Sequence, residues 1–172
     1  MKLRRIILGA ILTSMALCLF IIESFIQLPF AFPGAKIGLA NIISVISLYL
    51  LSPVETMIII ILRVFLGTIL TGNLSSFLFS LSGAMLSFSM MFIAMKVLKD
   101  RASAVGVSMI GGISHNIGQV LVAMLILQNI NIFWYLPFLL ITGLVTGIFI
   151  GFTAKYLIEH LRKINVNYMI KG

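Results

Sequence analysis

The chain has 172 residues, of which 61% are hydrophobic and 9% charged, with a formal net charge of +8. Soluble domains carry about 25% charged residues, so the composition excludes that class and describes an integral membrane protein. The lysines and arginines lie at the ends of apolar runs, which excludes nucleic acid as partner, and the lone Cys18 excludes a disulfide framework or a thiolate metal cluster.

Each membrane span needs about 20 apolar residues. The first predicted helix covers about residues 6–28. It begins with MKLRR and a run from Ile6 to Ile22, longer than a secretory signal and without a small-residue cleavage site, so a retained span is expected. Cys18 reads as a small packing residue inside it, and Pro29 ends it. A loop with Pro33 and Gly34 leads to a short second span, about 37–51. Ser52-Pro53 turns the chain into a third span, about 54–70, where Glu55 suits the positive end of the helix dipole. After Thr71, Gly72, Asn73 and Ser75, a fourth span covers about 77–98 and stops at Lys99-Asp100-Arg101. The fifth, about 104–127, is broken by Gln128, Asn129 and Asn131, and the sixth covers about 133–158 before a polar tail.

Without water to satisfy the backbone in lipid, these spans should be helices. The expectation is one domain, residues 1–172: an all-α integral membrane protein with six transmembrane helices. Orientation follows from the basic residues. With both termini cytoplasmic, the inner side collects Lys2, Arg4, Arg5, Lys96, Lys99, Arg101, Lys155, Arg162, Lys163 and Lys171, and the outer loops hold Lys36 alone. Trp134 and Tyr135 then sit at the outer interface, where aromatic anchors belong. Gly143, Gly147 and Gly151 recur on one face of the sixth helix, which predicts close helix packing within the bundle or against a partner subunit.

An ionisable group at a span centre costs about 2.5–3.5 kcal/mol, so such groups face a cavity or each other and by default mark a functional site. At about 1.5 Å per residue, Arg63 lies roughly 14 Å along the third span, near the midplane. His115 falls near or just past mid-depth of the fifth span, with Gln119 one turn further out and Asn116 beside it. Glu23, Lys36 and Asn41 fall in the outer half. His115 and Gln119 are four apart and share a face, extended by Gly111; Arg63 and Gly67 are also four apart, leaving a notch above the arginine. These spacings predict an outward-opening cavity lined by Glu23, Lys36, Asn41, Arg63, His115, Asn116 and Gln119. The alternative is a structural network in which Arg63 pairs with Glu23 and the amides satisfy backbone or one another.

The segments PGAKIGLANI (33–42), LRVFLGTILTG (62–72), FLFSLSGAMLS (77–87), GGISHNIGQ (111–119) and YLPFLLITGLVTGIFIG (135–151) resemble the bacterial membrane family of heptaprenyl diphosphate synthase component I, also termed Gx transporters. The resemblance runs from about residue 6 to 158. That family in turn resembles the S components of energy-coupling-factor (ECF) transporters: six-helix bundles of the cell membrane that capture a nutrient outside and work with a coupling subunit and ATPases. The resemblance implies a lid around Pro33 to Lys36. The small pairs Gly9/Thr13 and Ala10/Ser14 stand where such proteins dock on the coupling subunit.

Chemistry narrows the function. Prenyl chain elongation uses aspartate-rich motifs that hold magnesium, and this chain has a single aspartate, Asp100. It has no catalytic Ser/His/Asp set, no Walker motif, no metal-ligand cluster and no cofactor motif, so the expectation is a non-enzyme. The main reading is a transport subunit binding a small anionic or amphipathic solute, such as a flavin, a quinone precursor or a prenyl phosphate. The alternative is a non-catalytic membrane component of polyprenyl (heptaprenyl) diphosphate synthesis beside a soluble prenyl synthase. A third is a scaffold docked through the sixth helix.

Overall fold

A computed structural model describes residues 2–26, 38–72 and 74–163, and among these there is no strand. The α-helices, in chain order, are α1 (Lys2–Ser24), α2 (Asn41–Leu50), α3 (Pro53–Thr71), α4 (Leu74–Leu98), α5 (Ala104–Leu127) and α6 (Leu136–Lys163). Single 3₁₀ segments, Lys99–Arg101 and Ile130–Tyr135, precede α5 and α6. Five helices are long and apolar enough to cross a membrane.

Local chemistry explains the boundaries. Pro53 occupies the first turn of α3, Ser52 Oγ accepts the Glu55 N–H at 3.3 Å, and Glu55 Oε2 accepts the Ser52 N–H at 2.8 Å. This reciprocal cap satisfies donors that α3 cannot bond internally, as the placement of Glu55 suggested. Gly72 closes α3 with φ of 66°, a left-handed conformation that glycine adopts without strain, and its N–H reaches the Thr68 carbonyl at 2.9 Å. Ser103 Oγ caps α5 by accepting the Gly106 N–H at 3.0 Å.

The helices pack in two sectors around a central plug. α1 and α3 run parallel, with Arg5 beside Glu55 near one end and the Phe20 ring over Gly67 further along. α5 lies antiparallel to both α4 and α6. Gly118 abuts the backbone of Ser82 and Gly83, and Gly112 abuts Gly143. Gly147 meets Met109, where a Cβ would fall 2.8 Å from the Met109 Cα, and Gly151 meets Val105. The glycine face of α6 is therefore a packing face within the bundle. Helices in lipid gain nothing from hydrophobic exclusion against each other, so such close backbone approach supplies the dispersion that holds them. The plug is α2, which touches all five other helices; of its 10 residues only Tyr49 is not buried.

The charged residues sort to one end. Arg4, Arg5, Glu55, Lys96, Lys99, Asp100, Arg101, Lys155, Glu159 and Lys163 all lie there. Tyr49 Oη donates to the Ala102 carbonyl at 2.8 Å at the same end, tying the last turn of α2 to the start of α5. Among the described residues, the opposite end carries no lysine or arginine and, near the close of α1, the single carboxylate Glu23. Trp134, 80% exposed, and Tyr135 sit at that end.

Three expectations change. The second span is a helix of 10 residues, about 15 Å long, half of a roughly 30 Å hydrocarbon core. It starts only after the Gly38–Ala40 turn and stops where Leu51 turns extended ahead of Ser52-Pro53. α1 ends at Ser24, short of Leu28, because the N–H groups of Phe25 and Ile26 switch to the carbonyls three residues back. Cys18 is exposed and not a packing residue. α1 packs through Leu12, Ala16, Phe20 and Glu23, spaced three or four apart, and Cys18 falls on the face turned away from that ridge.

Candidate functional site

The site forms where α2 begins inside the bundle. A helix that starts in lipid exposes backbone N–H groups that water cannot satisfy. Gly38, at φ +90°, makes the turn that aims these groups inward, and its carbonyl accepts the Asn41 N–H at 2.8 Å. Glu23 Oε1 accepts both the Gly38 N–H and, at 3.2 Å, the Leu39 N–H. The carboxylate is 2% exposed. Its negative charge at the positive end of α2 is stabilising by about 0.3–1 kcal/mol, and more where it is desolvated. This is why a carboxylate sits in an apolar end of the bundle.

Arg63, on the inward face of α3, is 3% exposed. Its Nη2 donates to Asn41 Oδ1 at 3.1 Å, and the Glu23 charge acts on it across the same space. Arg63 Nε and Asn41 Nδ2 have no hydrogen-bond partner. His115, on α5, lies between two glycines: a Cβ at Gly38 would fall 3.2 Å from its Cδ2, and one at Gly83 would fall 2.9 Å from its Nδ1. The Gln119 amide donates to His115 Nε2 at 2.9 Å, which places the proton of a neutral ring on Nδ1. Ser80, on α4, completes the ring, and its buried hydroxyl has no partner.

Between these groups is a cavity of about 10 Å³, room for about one water. Glu23, Arg63, Ser80 and His115 give it polar walls, and Phe20, Ala40 and Val64 give it apolar ones. It is narrower than the outward-opening cavity expected. The notch beside Gly67 is filled by the Phe20 ring, and the space above Arg63 is occupied by the Glu23 carboxylate and the Gly38 turn.

Of the residues singled out from the sequence, Glu23, Arg63 and His115 face one another across the cavity, with Asn41 and Gln119 one hydrogen bond behind. Asn116 points elsewhere: its Nδ2 donates to the Leu139 carbonyl and clamps α5 to α6. Lys36 lies outside the described residues. Phe20, Ser80 and Gly83 were not singled out, although Ser80, Gly83 and Ser87 at spacings of three and four mark a small face of α4, where Gly83 meets His115 and Ser87 meets Gly111 of α5. Among the described residues no three of His, Cys, Asp and Glu come together to hold a metal. A guanidinium, a hydroxyl, an imidazole and inward N–H groups, with the one carboxylate already engaged, can hold and orient an anion.

No curated protein and no solved structure matches the chain. A family model does, over residues 12–157, a stretch holding every described side chain that forms the cavity. The chain belongs to the family of heptaprenyl diphosphate synthase component I.

Proposed function

We propose that this chain is the non-catalytic membrane component of polyprenyl diphosphate synthesis, serving a soluble prenyl synthase at the bilayer. The family match over residues 12–157 carries the reading, since the family takes its name from one component of that enzyme. The site adds to it. An interior anion-holding cavity with apolar walls suits an amphiphile whose head is negative and whose tail is hydrocarbon. In this reading both termini and the basic end face the cytoplasm, the soluble partner docks there, and α2 is a half-length sixth crossing in the cell membrane. The test is co-expression with a soluble prenyl synthase. The two should co-purify, and product yield or chain length should change; no effect on either would remove the proposal.

A second reading is favoured by the unpartnered donors Arg63 Nε, Asn41 Nδ2 and Ser80 Oγ. The chain then captures an anionic or amphipathic solute (a flavin, quinone precursor or prenyl phosphate) at the outer face, as an ECF-type S component with a coupling subunit and ATPases. Native mass spectrometry of gently solubilised protein separates the readings by what stays bound: a synthase, or a solute and a coupling subunit.

A further inference from the structure

The place an anionic ligand would take is already occupied by the protein's own carboxylate. Glu23 Oε1 accepts two N–H groups at the head of α2, Gly38 and Leu39, and lies across the cavity from Arg63. Yet two further buried donors of that wall are left over. Arg63 Nε has no partner, and Ser80 Oγ has none; both residues are 3% exposed and both line the cavity. A carboxylate has two oxygens and can accept about four hydrogen bonds. A purely structural cap would have its neighbours saturated, because each unsatisfied buried donor costs about 1–3 kcal/mol. This ring offers more donors than Glu23 uses.

We propose that Glu23 is a displaceable internal occupant of an oxyanion seat formed by the Gly38 and Leu39 N–H groups, Arg63 and Ser80. This rests on the reading of the cavity as a ligand site. The ligand head is a single compact oxyanion, a monophosphate or a carboxylate, because the space freed is one carboxylate plus about 10 Å³. Glu23 is the last residue but one of α1, so the seat is vacated by a rearrangement at that helix end. The incoming oxyanion takes over the two N–H groups and the Arg63 charge, and adds the bonds to Arg63 Nε and Ser80 Oγ that Glu23 leaves unmade. Phe20 and Val64 on the cavity wall receive the first carbons of an attached chain.

The test measures binding to the full chain in nanodiscs of neutral phosphatidylcholine, with dodecyl phosphate, dodecanoate and inorganic phosphate as probes. Glu23→Gln keeps an oxygen for the Gly38 N–H but removes the competing charge, so a probe should bind about tenfold tighter than to wild type. Arg63→Gln should lose binding. Ser80→Ala removes a hydroxyl that the folded chain does not bond, so its unfolding midpoint should stay at wild type while affinity falls several-fold. Binding of the two dodecyl probes alone assigns the seat to an amphiphile; binding of inorganic phosphate as well assigns it to the free anion. Affinity in Glu23→Gln equal to or weaker than wild type overturns the displacement while leaving a ligand site in place. Unchanged affinity in Ser80→Ala removes the hydroxyl from the seat and overturns the proposal as drawn. Failure of every variant and the wild type to bind any probe overturns the displacement and the ligand-site reading together.

Discussion

The α1–α3 sector and the α4–α6 sector solve the same problem by opposite means. In the second, glycines and serines let backbones meet, and α5 packs along both neighbours with Asn116 clamped on Leu139. In the first, a glutamate, an arginine and an asparagine are buried to hold a short helix whose head ends inside the bundle. The lesson is that close approach needs no charge, whereas a helix that begins in the interior does. Its orphan N–H groups must be answered by an acceptor, and the acceptor's charge must be answered in turn.

The comparison breaks if charge is not what holds the first sector. Arg63→Met should be the most damaging change, about 3–5 kcal/mol, because it removes a buried cation that acts on the Glu23 charge and the donor to Asn41 Oδ1. Unfolding in mild detergent micelles measures it. Gly112→Val should come next, at about 1–3 kcal/mol, since the new side chain collides with the Gly143 backbone. If Gly112→Val proves worse than Arg63→Met, the order of the two sectors is reversed. Asn116→Leu should cost about 0.6–1.7 kcal/mol, the range for one interhelical hydrogen bond in lipid, read in the same titration. Gly9→Ala should change least and in the favourable direction, by up to about 1 kcal/mol, because nothing beyond the backbone of its own helix lies within 4 Å of the added methyl and alanine is the better helix former.

The long helices were legible because a bilayer imposes one length and one periodicity on them. The start of α3 and the break after Leu127 were plain in Ser52-Pro53 and Gln128-Asn129. The length of α2 was not, because the apolar run Ile37–Leu51 has no breaker other than Gly38. Only the folded backbone shows that this glycine takes φ +90° and delays the helix. At the site, Glu23, Arg63 and His115 declared themselves by the cost of burying them. Asn116 misled, since an amide next to His115 in sequence lies about 100° around the helix and so met α6. Ser80 and Gly83 were hidden because small residues look alike whether they face a cavity, a neighbouring helix or lipid.

Both ends of α2 are fastened. At its head the Glu23 carboxylate grips the turn, and at its last residue but one Tyr49 ties it to the Ala102 carbonyl at the basic end. A rod only 10 residues long, wedged among five others, has little room to bend. Because an incoming oxyanion would take over the same two N–H groups, the rod stays seated whichever acid holds its head.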